Sequence, residues 1–86
     1  MRGLSNNAVA LVTGGARRLG RQIALRLADD GIGVVVHYHH SSDDAESLRQ
    51  ELADSGVQAW TIQADLADPA QAQDLPARSA KLAGRL

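Results

Sequence analysis

Thr13-Gly14-Gly15-Ala16-Arg17-Arg18-Leu19-Gly20 follows directly on the apolar run Ala8-Val9-Ala10-Leu11-Val12. A short, continuously apolar run ended by paired glycines has the pattern of a strand covered on both faces. Beyond the glycines, Leu19, Ile23 and Leu27 recur at helical spacing from Arg18 to Asp30, while Arg21, Gln22, Arg26 and Asp29 take the other face. Gly31 follows as a C-terminal cap. The order strand, glycine turn, helix predicts the opening unit of an α/β sheet.

The rest of the chain repeats that alternation. Ile32-Gly33-Val34-Val35-Val36-His37-Tyr38 has the β-branched centre of a second buried strand. Asp43 with Glu46 three residues on predicts a capping box for a helix whose apolar face is Ala45, Leu48 and Leu52 and whose end is Gly56. Val57 to Ala64 reads as a third strand, interrupted by Gln58, Thr61 and Gln63 and so expected at a sheet edge. Asp65 and Asp68-Pro69 start a last, Ala-rich helix reaching near Leu86, with Pro69 suited to its first turn and Pro76 expected to kink or split it. An order of β-α-β-α-β-α packs as a parallel sheet with helices on both faces, the N-terminal half of a Rossmann-type doubly wound α/β fold. In the common strand order 3-2-1-4-5-6 the chain stops before strand 4, so residues 1–86 are expected to form one incomplete domain of a larger polypeptide.

The totals limit the function classes. A chain of 86 residues makes at most one small domain with a thin core. Its net charge of −1 gives no chain-wide field for nucleic acid or an anionic membrane, so an anion must be held by a local cluster. Without cysteine there are no disulfides or thiolate metal sites, which fits a reducing compartment. Met1-Arg2-Gly3-Leu4-Ser5-Asn6-Asn7 lacks an apolar signal core and no stretch reaches the length of a membrane span, so a soluble cytoplasmic protein is expected.

The chemistry concentrates at the ends of the first two strands. In Thr13-Gly14-x-x-x-Arg18-x-Gly20, Gly14 permits a tight turn, Gly20 permits close helix packing, and the helix N-terminus offers free amides to a pyrophosphate. The alternative is an ordinary turn with incidental glycines. No Gly-Lys-Ser/Thr follows, so the loop is not a P-loop.

At these residues the chain resembles the short-chain dehydrogenase/reductase family, whose first turn is usually Thr-Gly-x-x-x-Gly-x-Gly. Arg18 stands where the middle glycine is expected. Arg18-Leu19-Gly20 is similar to the pteridine reductases, which also carry His-Tyr-His-x-Ser after the second strand, here His37-Tyr38-His39-His40-Ser41. The resemblance covers essentially the whole chain but only the cofactor half of the family's length. The family's Asn-Asn-Ala strand end, catalytic Ser and Tyr-x-x-x-Lys pair are not among these residues. Tyr38 is the single tyrosine and Ser42 stands four residues after it, so Tyr38 cannot be the family's catalytic acid. The resemblance implies an NADPH-dependent reductase of a pterin or folate, acting by hydride transfer as a homotetramer, with no turnover by residues 1–86 alone. It also implies that Asp65 and Leu66 meet the adenine, and that Arg18 lies near the pyrophosphate and the pterin edge.

The residues themselves favour the phosphorylated cofactor. Folds selective for NAD place an acid at the end of strand 2 for the ribose 2′-hydroxyl, whereas NADP needs donors or cations for a 2′-phosphate. Here His37, Tyr38, His39, His40, Ser41 and Ser42 precede any carboxylate, and Arg17 can add a permanent cation from the glycine loop. Arg17 and Arg18 could instead be solvated charges on a first helical turn, and Asp65 a helix-start acid, although Asp68 before Pro69 is the more natural cap. His37 and His39 share a strand face, yet no acid or thiol lies at ligand spacing, so no metal is expected. Trp60 reads as packing. The competing functions are a reductase of another carbonyl such as a 3-oxoacyl thioester, and a non-catalytic NADPH-binding protein. A methyltransferase using S-adenosylmethionine would want an acid at the end of strand 2.

Overall fold

The computed structural model describes residues 8–14 and 17–84. Its elements run β1 (Val9–Val12), α1 (Arg18–Asp29), β2 (Gly33–Tyr38), α2 (Ser42–Asp54), β3 (Ala59–Gln63) and α3 (Pro69–Ala83). The three strands form one parallel sheet in the order β1-β2-β3. Val9 pairs with Gly33 and Val12 with Val36 on one side of β2, and Val34 pairs with Ala59 and Tyr38 with Gln63 on the other. This is the 3-2-1 half of the doubly wound order, as the alternation predicts.

The middle strand explains the core. Val34, Val35 and Val36 are fully buried because β2 has a neighbour on each edge and helices over each face. Side chains alternate across a strand. Val34 and Val36 therefore meet Ala24 and Ala28 of α1 and Ala45, Leu48 and Leu52 of α2, while Val35 meets Leu75 and Ala83 of α3 with Ile62 and Ala64. At β3 the predicted edge position holds: Thr61 is half-buried and Gln63 exposed, and the strand is shorter than the Val57 to Ala64 span.

Four local expectations need correction. First, the row Leu19 and Ile23 does not face the core; these side chains are 70% and 46% exposed. The buried residues of α1 are Ala24 and Ala28, one turn apart, with Gly20 half-buried one turn before them. Small residues let the helix lie close to the sheet, so the larger ones are turned aside. Second, no capping box forms on α2. The helix starts at Ser42 with Ser41 at its N-cap, which puts Asp43 inside the first turn, and Glu46 is taken by Arg49. Hydrogen bonds from Arg49 hold the Glu46 carboxyl below its ordinary value. Third, α3 ends at Ala83, short of Leu86. Fourth, Pro76 does not split α3, which runs unbroken across it. Proline removes one helical hydrogen bond, and Leu75, Ser79 and Ala83 keep both sides of that gap pressed on the sheet. Gly31 and Gly56 end α1 and α2 as predicted, and Asp68 caps α3 by accepting from the Ala70 amide at 3.0 Å. No helix among the described residues is long and apolar enough to cross a membrane.

Candidate cofactor site at the strand ends

Open α/β sheets bind ligands beyond the carboxyl ends of their strands. Here those ends carry the glycine turn after β1, the His37–Ser41 stretch closing β2, and the Asp65-Leu66 corner after β3. The turn is built by backbone. Gly14 sits at a φ of 62°, a conformation that L side chains rarely adopt, and a Cβ there would meet nothing within 4 Å. Glycine is thus required by conformation, while the space beside it stays open.

The α1 N-terminus is left free to receive an anion. Arg17 is its N-cap, makes no side-chain capping bond, and is followed by no acidic residue in the first turn. The first-turn amides of Arg18, Leu19 and Gly20 have no intrahelical acceptor, and they lie at the positive end of the helix dipole. Among the described residues neither Arg17 nor Arg18 has an acidic partner, and both are exposed. Gly14, Arg17, Arg18, Leu19 and Gly20 line a cleft of about 860 Å³ together with Leu11, Ile23 and Leu27. Helical spacing alone does not mark Ile23 as a cleft wall, since it shares that spacing with Leu27, which lines the cleft and also packs against the core.

A second hollow of about 190 Å³ opens off the same turn. Gly14 and Arg17 form one wall, and His37, Tyr38, His39, His40 and Ser41 form the rest, with no carboxylate among them. The rings of His39 and His40 lie 3.7 Å apart between centroids, tilted by 35°. His39 Nε2 stands 3.8 Å from Asp65 Oδ2, which brings the corner after β3 to the same rim. The other Asp65 oxygen accepts from the Ala67 amide at 2.9 Å, so this carboxylate holds the local turn as well as facing His39. Leu66 beside it is 45% exposed. Tyr38 packs against the α1–α2 core. All twelve residues predicted for the site therefore lie along one end of the sheet, though their side chains differ in what they can reach.

His37 differs most. Its ring is 4% exposed. The Gly14 amide donates to His37 Nδ1 at 2.9 Å, and His37 Nε2 lies 2.9 Å from the Ala64 carbonyl. Because an amide N–H can only donate and a carbonyl can only accept, the ring must be neutral with its proton on Nε2. Strand alternation carries the signal: His37 falls on the face of buried Val35, not on the opposite one.

Among the described residues no three His, Asp or Glu side chains come together as metal ligands. A nicotinamide dinucleotide suits what is present: an open glycine turn, unpaired helix amides, an apolar-walled cleft, and a cationic, donor-rich hollow beside them.

Known proteins share this fold. A short-chain dehydrogenase of Burkholderia cenocepacia in complex with NADP superposes with a TM-score of 0.85 at 38% identity, covering 94% of this chain and 33% of that one. The FolM alternative dihydrofolate reductase 1 of Brucella canis, complexed with NADP, gives a TM-score of 0.82 at 36% identity over 94% of this chain and 31% of its own. In sequence, a 3-oxoacyl-[acyl-carrier-protein] reductase of Staphylococcus epidermidis is 48% identical over 61 residues, which is 71% of this chain and 25% of that protein. The chain thus spans a quarter to a third of the length of these relatives. Residues 8–86 match the profile of the short chain dehydrogenases, and with the parallel sheet, the glycine turn and these relatives in agreement, the chain belongs to that family.

Proposed function

We propose that this chain is the NADP-binding segment of an NADPH-dependent short-chain reductase that reduces a pterin or folate. The observation that carries the cofactor choice is the hollow at the end of β2. It is lined by Arg17, His39, His40 and Ser41 and contains no carboxylate that would repel a 2′-phosphate. A guanidinium binds phosphate by paired charge-assisted hydrogen bonds. Arg17 and Ser41 would hold the 2′-phosphate with His39 and His40, and the α1 amides with Gly14 and Gly20 would hold the pyrophosphate. Tyr38 and His37 would back the adenosine from inside, and Asp65 and Leu66 would border the adenine. Leu19 would cover the cleft from the outer side. The cofactor, when bound, supplies the hydride; the residues here bind and orient it. Both solved structures named above hold NADP, which supports this reading.

The pterin assignment rests on Arg18, exposed at the mouth of the larger cleft where a glycine is usual in the family. Glycine there is compact, so a long cation is best understood as meeting a hydrogen-bonding heterocycle above the nicotinamide as well as the pyrophosphate. Similarity to the alternative dihydrofolate reductase supports it. A second reading, reduction of a 3-oxoacyl thioester, is supported by the Staphylococcus epidermidis relative. Resemblance to the family supports assembly as a homotetramer.

Steady-state kinetics of the full-length protein that carries this segment, with NADPH against dihydrobiopterin, dihydrofolate and a 3-oxoacyl thioester, decides between the two. The pterin reading expects turnover of the pterin or folate, and Arg18→Gly to impair that turnover more than NADPH binding. Turnover confined to the thioester, or unchanged pterin turnover in Arg18→Gly, refutes it.

A further inference from the structure

The sequence expectation makes His37 a direct cofactor contact, but the geometry gives its ring another task. Both nitrogens are consumed inside the protein, one by the Gly14 amide and one by the Ala64 carbonyl, each at 2.9 Å. Gly14 belongs to the turn after β1, and Ala64 to the corner after β3 that leads into Asp65. The ring thus spans from one loop of the site to the other across the end of β2. We infer that His37 is a positioning residue: its neutral imidazole fixes the glycine turn against the Asp65 corner, and the nucleotide binds fully only while Nδ1 is unprotonated.

An imidazolium carries N–H on both nitrogens, so on protonation Nδ1 would oppose the Gly14 amide instead of accepting from it. The Ala64 bond would survive, because Nε2 donates in either state. Protonation therefore releases the glycine turn and leaves the β3 corner in place. The Gly14 carbonyl accepts from the Arg17 amide at 3.2 Å, a bond inside the turn that survives protonation, so the bond to His37 is the one that ties the turn to the end of β2.

Arg17 from the glycine turn lines the same hollow. Asp65 follows Ala64 and faces His39 at 3.8 Å. Just beyond the end of β2 the neighbours are His39 and His40. Helix α3 covers this face of the sheet with Leu75, Ser79 and Ala83, while its Asp74, Arg78 and Lys81 are exposed.

The test rests on the cofactor reading above but has an arm independent of it. In the cofactor-free protein, nitrogen-detected NMR of the imidazole should show His37 with a bare Nδ1 and a protonated Nε2. The Gly14 amide signal should shift on acidification in step with that ring. With cofactor, two substitutions separate the bonds: His37→Asn places an amide oxygen near Nδ1 and cannot reach Ala64, whereas His37→Gln reaches toward Ala64 and abandons Gly14. His37→Gln should weaken NADPH and NADH alike, by about tenfold for the loss of one amide hydrogen bond. His37→Asn should restore most of that affinity and bind NADH without the wild-type loss on acidification. NADH lacks the 2′-phosphate, so its pH response is free of that group's titration. Equal weakening by Asn and Gln, or an NADH pH profile unchanged in His37→Asn, overturns the inference. A proton found on Nδ1 overturns it without touching the cofactor reading, and failure of either nucleotide to bind the wild type would sink the cofactor reading alone.

Discussion

Replacing Arg17 with alanine separates the two nicotinamide nucleotides at a single charge. NADPH and NADH differ only at the adenosine 2′ position, and Arg17 lines the hollow proposed for that group. Its side chain makes no capping bond on α1, so truncation removes a charge without removing a structural hydrogen bond. Two unit charges about 4 Å apart attract by roughly 1 kcal/mol in water and roughly 4 kcal/mol at an effective dielectric of about 20. Arg17 is exposed, which places the interaction toward the lower limit, and the near-double charge of the phosphate raises it again. About 1.5 to 3 kcal/mol follows, or an NADPH dissociation constant weakened by roughly 10- to 100-fold. NADH should change by less than about twofold, since the backbone turn and the α1 amides persist. Fluorescence titration of both nucleotides in wild type and Arg17→Ala measures the difference directly. Raising the ionic strength from about 0.1 M to about 1 M shortens the screening length from about 10 Å to about 3 Å, and should shrink the wild-type preference for NADPH. Equal losses for the two nucleotides would refute the reasoning.

Two further substitutions test the scaffold. A Cβ at Gly33 would come within 3.1 Å of the Gln58 carbonyl, which accepts from Val34 across the β2–β3 pair; Gly33→Ala should therefore destabilise by about 1 to 3 kcal/mol in denaturant melts, and an unchanged midpoint would show the approach to be looser than drawn. Leu48 is fully buried between α2 and β2, so Leu48→Ala should cost about 2 to 5 kcal/mol by the same measurement, whereas a loss below about 1 kcal/mol would mean the site collapses around the gap.

The fold was legible because its strongest signals are local and redundant. Val34-Val35-Val36 admits few readings other than a central strand, and the glycines after each helix fix where the chain turns. Hydrophobic size misled at α1. Leu19, Ile23 and Leu27 have helical spacing, but Gly20, Ala24 and Ala28 have it too, and close packing selected the smaller row, with Leu27 alone of the larger three packing beside it. The capping box failed because Ser41 rather than Asp43 is the N-cap, which leaves Glu46 past the position that reaches back to a cap and free for Arg49, three residues along the same helix. At the site, residue types and their gathering at the strand ends were readable, whereas the commitment of His37 depends on a 23-residue separation from Gly14 that no local pattern encodes.

The division between Arg17, His39 and His40, which are exposed, and Val34, Val35, Val36 and Ala24, which are not, has a bearing on how such a protein can change over generations. The side chains assigned to the 2′-phosphate contribute almost nothing to the packed interior. A lineage can exchange them without approaching the threshold below which the chain no longer folds. The turn and the helix start beneath them are tied to the sheet by backbone and by alanine-sized contacts, and tolerate no such drift. Nucleotide preference on this scaffold is therefore an evolvable trait resting on an inherited one, and laboratory reversal of that preference should demand few substitutions and no compensating stabilisation.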